Sequence, residues 1–288
     1  MEIKITNLSH VYMPKTPFEH QALTNINLHI TSGMFVAFIG HTGSGKSTIV
    51  QHINGLLKPT SGVVQIGDTV IEASKKNKKL KELRRAVGMV FQYPEHQLFD
   101  ETVEKDIAFG PMNFGFTREE AYQKAKEVLP LVDLTEDILQ KSPFDLSGGQ
   151  KRRVAIAGVL ASKPRVLILD EPTAGLDPVG RKKMMELFLS IHQQEKLTTI
   201  LVTHNMEFAA MYADLVVVMD KGQVLRQGTP EEVFKSLHEL QEIGLDVPET
   251  VQLARLLEER FKSKLPQNLF TKDKLVEAIV PLVNKEVD

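Results

Sequence analysis

The eight residues Gly40-His41-Thr42-Gly43-Ser44-Gly45-Lys46-Ser47 constrain the fold more than any other stretch of the chain. They match G-x-x-x-x-G-K-[ST], a pattern that works where a buried strand ends and a helix begins. Both flanks meet that requirement: Val36-Ala37-Phe38-Ile39 is a continuous apolar run, and Lys46 to Leu56 is helical in pattern. The glycines let successive backbone N–H groups turn inward around phosphate oxygens, and the helix N-terminus adds a favourable dipole. Lys46 offers the phosphates a point charge, while the Ser47 hydroxyl suits Mg²⁺. Gly40, His41, Thr42, Gly43, Ser44, Gly45, Lys46, Ser47 and Thr48 are therefore candidate nucleotide-binding residues.

Such a loop needs a sheet to carry it. Val166-Leu167-Ile168-Leu169, Thr199-Ile200-Leu201-Val202 and Leu215-Val216-Val217-Val218 are further continuous apolar runs, as strands covered on both faces require. Helical stretches such as Arg181 to Gln194 lie between them, which predicts an α/β layered core with a parallel sheet. One of these runs ends in Asp170-Glu171-Pro172. Two acids after a strand can be no more than a turn and a helix cap. Beside a phosphate loop, Asp170 sits where it can hold the Mg²⁺ hydration shell, and Glu171 where it can act as general base on a water.

The remaining chain has other textures. Ile3/Ile5 and Ile26/Leu28/Ile30 alternate with polar residues, as half-exposed antiparallel strands do. From about Tyr93 to Lys163 the pattern is helical, notably Arg118 to Val132, and is punctuated by Gly110-Pro111 and Ser142-Pro143. After Gly228-Thr229-Pro230 it turns mostly helical again, and residues 235–288 read as a separate module. Ser74 to Arg85 carries seven basic residues and one acidic, the mark of a solvated loop running into a helix or, less simply, of an anionic membrane surface nearby. Lys+Arg 35 against Asp+Glu 37 leaves a net charge of -2, which argues against a nucleic-acid coat. The absence of cysteine excludes disulfides, thiol catalysis and cysteine-ligated metal. No apolar run approaches the roughly 18 residues of a bilayer span, and the first residues lack the apolar core of a signal peptide. A chain of this kind is expected to reach a membrane only through a partner.

Leu146-Ser147-Gly148-Gly149-Gln150 opens a helical run, Lys151 to Ala161, just before the acidic strand. This LSGGQ signature, with the phosphate loop and the acidic strand, makes the chain resemble the ABC-type ATPases over about Met1 to Glu232. The resemblance implies roles for other residues. Gln92, after Val87-Gly88-Met89-Val90-Phe91, matches the Q-loop glutamine that contacts Mg²⁺ and the attacking water. Ala174-Gly175-Leu176-Asp177 matches the D-loop, and His204 the switch histidine that senses the γ-phosphate. Tyr12 corresponds to the aromatic that stacks on adenine, with Phe18 as a possible substitute. The other histidines carry no motif of their own, His52 included. The implied fold is an α/β P-loop NTPase of ABC type: parallel sheet core, antiparallel β subdomain, inserted helical subdomain at about 93–163, and a C-terminal helical extension. The ATPase domain would span 1–234.

The resemblance also implies ATP and Mg²⁺ as cofactors. Ser147 and its glycines at a helix N-terminus form a second anion site. In the family this faces the phosphate loop of another subunit in a head-to-tail dimer. The Q-loop text Phe91-Gln92-Tyr93-Pro94-Glu95-His96-Gln97-Leu98-Phe99, followed by Glu104 to Pro111, is similar to that of energy-coupling factor transporter ATPases, which import vitamins and transition-metal ions. Such subunits pair with a homologous ATPase, strengthened by their tails, so residues 235–288 would make a dimer contact. They bind a transmembrane coupling subunit, contacted near Tyr93 to Phe99, and work with a membrane protein that captures substrate. The implied location is peripheral, on the cytoplasmic face of the cell membrane. A cobalt or nickel importer, another ABC importer and a soluble ABC ATPase are the alternatives. The last is disfavoured by one phosphate loop, one signature and no sustained heptads.

Overall fold

The computed structural model describes residues 1–73, 75 and 80–287. Two long strands open the chain, β1 (Ile3–Tyr12) and β2 (His20–Ile30), followed by β3 (Phe35–Ile39) and α1 (Lys46–Ile53). Next come β4 (Ser61–Ile66), β5 (Thr69–Glu72), α2 (Leu80–Ala86) and β6 (Val87–Val90). The helices α3 (Val103–Phe114), α4 (Arg118–Val128) and α5 (Gly148–Leu160) precede β7 (Val166–Asp170). Then α6 (Pro178–Glu195), β8 (Thr198–Val202), α7 (Met206–Tyr212), β9 (Leu215–Asp220) and β10 (Gln223–Gly228) complete the sheets. Helix α8 (Pro230–Phe234) follows, and the tail beyond residue 234 holds α9 (Leu237–Glu242), α10 (Glu249–Phe261) and α11 (Lys272–Val287).

Among the described residues there are two sheets, in the orders β2-β1-β4-β5 and β10-β9-β3-β8-β7-β6. The first is antiparallel. In the second, β9, β3, β8, β7 and β6 run parallel and β10 is the antiparallel edge. Alternation along each parallel strand explains the continuous apolar runs, because both faces are covered. Val36 and Phe38 of β3 face a core shared with Ile3, Ile30 and Ile49, while Ala37 and Ile39 face another shared with Ala209 and Val218. On β7, Val166 and Ile168 join the first core, and Leu167 and Leu169 pack with Val154 and Phe188 under the inserted helices.

Helix ends differ from the sequence expectation for local reasons. The helix expected from Lys46 to Leu56 stops at Ile53, because Asn54 leaves helical geometry and Gly55 takes a φ of 70°. Helix α4 stops at Val128; Pro130 has no N–H to give, and Leu129–Val132 tightens into a 3₁₀ turn. Helix α6 starts earlier than expected, with Pro178 at its first turn and Asp177 as cap. Of the basic segment, 74 and 76–79 lie outside the described residues; Lys75 pairs with Glu72 at 3.0 Å and α2 follows.

The tail begins as a layer on the sheet: Leu240, Leu245, Val247, Val251 and Phe270 share a core with Ala37, Ile39 and Val216. Its last two helices enclose a smaller core of Ala254, Leu265, Leu269 and Leu275. No helix among the described residues is long and apolar enough to cross a membrane.

Candidate active site

Strand β3 delivers Gly40 to the carboxyl edge of the parallel sheet. A Cβ on Gly40 would stand 2.2 Å from the Met219 carbonyl oxygen, and one on Gly45 2.8 Å from Leu23. Both have positive φ, 149° and 103°, so the turn demands glycine twice over. Gly45 then caps α1, whose first residue is Lys46. The Lys46 ammonium is buried and donates to the carbonyl oxygens of Gly40 at 2.6 Å and His41 at 2.7 Å. Burial lowers its pKa, and the carboxylates of Glu171 and Asp170 pull it back up.

Strand β7 ends at Asp170. Burial first, then the neighbouring Glu171 charge, raises the Asp170 pKa; Lys46 and a hydrogen bond from the Ser47 hydroxyl oppose the rise. Glu171 has a φ of 49°, a conformation that costs a non-glycine residue on the order of 1 kcal/mol and concentrates at functional sites. Its N–H donates to the Val202 carbonyl at 2.9 Å, tying it to the end of β8. His204, just beyond β8, donates from Nδ1 to Glu171 Oε2 at 2.9 Å. The histidine is 78% exposed and the glutamate 19%, so the pair bridges solvent and sheet edge.

One cleft of about 410 Å³ gathers Tyr12, Thr42, Gly43, Gly45, Lys46, Ser47, Thr48, Gln92, Asp170, Glu171 and His204. Tyr12 reaches across it, its hydroxyl 3.3 Å from Thr48 Oγ1, whereas Phe18 stands 77% exposed outside. Gly40 and Ser44 form the buried underside of the loop. His41 turns away, and its Nε2 hydrogen-bonds the carbonyl oxygen of Ile243 in the tail. Ser47, Asp170 and Gln92 present only oxygen donors, the set that Mg²⁺ prefers. No cluster of three His, Cys, Asp or Glu side chains among the described residues can hold a metal by itself, so such a cation would draw its other ligands from phosphate and water.

The signature lies elsewhere. Leu146 is buried, and Ser147 caps α5 in a reciprocal box with Gln150: Gln150 N–H donates to Ser147 Oγ at 3.3 Å, and Ser147 N–H to Gln150 Oε1 at 3.1 Å. Gly148 and Gly149 are exposed into open space, and none of the five lines the cleft. Asp177 also stays out of it; its Oδ1 accepts from Gly180 N–H at 2.6 Å.

Residues 23–174 match the family model described as ABC transporter. The energy-coupling factor transporter ATP-binding protein EcfA2 of Geobacillus kaustophilus is 58% identical, across 99% of this chain and 98% of its own length. Its Bacillus cereus namesake is 56% identical across 99% and 97%. The chain belongs to the energy-coupling factor group of the ABC transporter family. Among solved structures, cbiO1 from Clostridium perfringens, part of the ABC transporter complex cbiONQ, is 38% identical with a TM-score of 0.73, covering 89% of this chain and 98% of its own. An ATP-binding cassette in a dimeric post-hydrolysis state with ADP and Pi is 31% identical, with a TM-score of 0.68 over 79% and 98%. The α/β fold expected from the sequence is the fold of this family.

Three features of this ABC ATPase escaped the sequence reading. His20 lines the cleft beside Tyr12, because β2 pairs with β1 in a register that sets His20 opposite Tyr12. Arg152, one turn into α5, forks onto Glu95 of the Q-loop at 2.9 and 2.7 Å and also donates to the Ala174 carbonyl at 3.1 Å. Burial pushes the Glu95 carboxyl up, but the Arg152 hydrogen bond and charge outweigh it and hold it below the usual range. One side chain thus joins signature helix, Q-loop and D-loop. The only trace of it in the sequence is an arginine inside an otherwise apolar helix face. The third is the His41 contact with the tail, for which no local signal exists.

Proposed function

We propose that the chain is the ATP-binding and hydrolysing subunit that powers an energy-coupling factor importer of vitamins or other micronutrients, held peripherally on the cytoplasmic face of the cell membrane. The observation that carries this reading is the split site. Phosphate loop, Asp170, Glu171, Gln92 and His204 share one cleft, while the signature faces solvent away from it. A chain built this way completes its site with a second, homologous ATPase. Identity above half over the whole length supports the energy-coupling factor assignment.

In this reading the loop N–H groups and Lys46 bind the β- and γ-phosphates, and Tyr12 stacks on adenine. Ser47 and Asp170, with Gln92, hold Mg²⁺, which neutralises phosphate charge when bound. Glu171 takes a proton from the attacking water, whose oxygen bonds the γ-phosphorus as the bond to the bridging oxygen of ADP breaks. His204 keeps the Glu171 carboxylate aimed. The partner's own signature closes on the γ-phosphate, as Ser147 of this chain would on the partner's nucleotide, so ATP joins the subunits and ADP does not.

Two surfaces support the partners. Between the inserted helices and the sheet lies a groove of about 430 Å³ lined by Phe91, Leu98, Phe99, Phe109 and Phe114. Phe99 and Phe109 meet edge to face at 4.9 Å and remain 59% and 45% exposed, which suits the transmembrane coupling subunit. On the tail, Leu253, Leu256, Val276, Val280 and Val283 are exposed, an apolar face suited to the paired ATPase. A substrate-capturing membrane subunit would complete the assembly. Purification of the tagged chain from its native membranes in mild detergent tests the proposal. Intact-complex mass spectrometry should identify a second ABC ATPase and integral membrane subunits. Recovery of the chain without any integral membrane protein overturns the transporter reading.

A further inference from the structure

Strand β1 and helix α1 meet beneath Tyr12 through two buried histidines for which the phosphate chemistry has no use. His52, fully buried on α1, places Nδ1 2.8 Å from the Thr48 carbonyl oxygen. A carbonyl only accepts, so the hydrogen sits on Nδ1, and Nε2 of the neutral ring is left as an acceptor. Facing that acceptor at 3.2 Å is Nδ1 of His10, itself only 8% exposed. With His52 in that form, a hydrogen on His10 Nδ1 satisfies this contact with both rings uncharged, and the Lys58 backbone carbonyl faces both rings as a further acceptor. Burial lowers both pKa values, that of His52 to about 4, in keeping with uncharged rings at neutral pH.

The His10 ring in turn stands edge-on to Tyr12, with centroids 4.6 Å apart and planes at 82°. The Tyr12 hydroxyl returns to Thr48, at 3.3 Å from Oγ1. The contacts close a circuit: Thr48 to His52, His52 to His10, His10 to Tyr12, and Tyr12 back to Thr48. Thr48 directly follows Ser47 of the phosphate loop. The tyrosine is thus referenced to the loop through both its ring and its hydroxyl, by way of the same residue of α1.

We propose that His10 and His52 are positioning residues that fix the Tyr12 ring relative to the phosphate loop, so that the site selects a nucleotide over a bare polyphosphate. This rests on the reading of Tyr12 as the base-stacking aromatic. Stacking of a base on an aromatic ring contributes a factor of roughly 5 to 150 in affinity, and loosening the ring forfeits part of that factor.

The test is titration calorimetry of the full chain with Mg-ATP and, separately, with Mg-tripolyphosphate, which has no base to stack. His52→Leu should weaken ATP about tenfold and leave tripolyphosphate within about twofold. His52→Gln, which retains a hydrogen-bonding end, should recover part of the loss. Tyr12→Ala should weaken ATP at least as much as His52→Leu, and the double variant no further than Tyr12→Ala alone. Unchanged ATP binding in His52→Leu, with Tyr12→Ala impaired, overturns the positioning role. Equal losses for ATP and tripolyphosphate overturn it as well, since the histidines would then be supporting the loop and not the ring. If Tyr12→Ala itself binds ATP normally, the stacking assignment fails and the proposal with it. Should His52→Leu not fold, His10→Phe keeps a ring beside Tyr12 but cuts the bond to His52, and the same ratio of affinities decides.

Discussion

The molecule carries two glycine-rich turns at helix N-termini, and they are opposites in everything but composition. In the phosphate loop the glycines are wedged: a Cβ on Gly40 would collide with the Met219 carbonyl at 2.2 Å, and the Lys46 ammonium is folded into the loop's own carbonyls. In the signature, Gly148 and Gly149 look into open space, and the flanking polar side chains, Ser147 and Gln150, cap their own helix. The first turn is finished within the chain. The second is a half-site whose remaining half must come from outside. Damage to the loop should therefore be felt by one chain alone, and damage to the signature only by the assembled pair.

The sharpest probe of that contrast removes the base. Glu171→Gln should lower steady-state ATP turnover of the assembled complex by about 10²- to 10⁴-fold while ATP binding persists. Turnover within a few-fold of wild type would remove Glu171 from the role of base. Next comes the signature. Gly148→Asp puts a carboxylate where a phosphate should dock, at a site with room for it and at a helix start that favours it. About a hundredfold loss of turnover is expected, with the melting temperature and ATP affinity of the isolated chain unchanged. Weakened binding in the isolated chain would dissolve the distinction between the two turns.

A smaller effect separates the two sides by pH. His52 and His10 are held below their ordinary range by burial, and the signature turn contains no histidine. Below pH 6.5 the unfolded chain binds protons that the folded chain refuses. Their contribution to stability is thus complete above 6.5 and falls away as the pH drops toward about 4. In denaturant melts of the full chain, the change in stability between pH 7.5 and pH 5 should be roughly 2 kcal/mol less unfavourable in His52→Leu than in the wild type. A slope unaltered in the variant would place the acid sensitivity elsewhere. The least effect is expected of Lys46→Ala, about a tenfold loss of ATP affinity in the single chain, read by fluorescent-nucleotide titration. Unchanged affinity would mean that the ammonium never leaves its seat on the Gly40 and His41 carbonyls.

Legibility from the sequence followed the range of the forces involved. The parallel sheet was readable because strands buried on both faces must be apolar throughout, and the loop because its glycines answer to local backbone geometry. The end of α1 was misjudged because Asn54 and Gly55 stop it from within an apolar pattern that runs on to Leu56. Arg152 was invisible for a different reason: its partners Glu95 and Ala174 lie 57 and 22 residues away, and only the fold brings them together. His10 and His52, 42 residues apart, hide in the same way.

The His41 contact has a consequence for how the chain is made. Its ring binds the carbonyl of Ile243, 202 residues further on, and Gly244 packs against the same ring. At roughly 5 to 20 residues per second, a ribosome that has finished the phosphate loop needs on the order of 10 to 40 seconds to supply that partner. Through that interval the loop exists without its far anchor, and the contact can close only once Ile243 has been added.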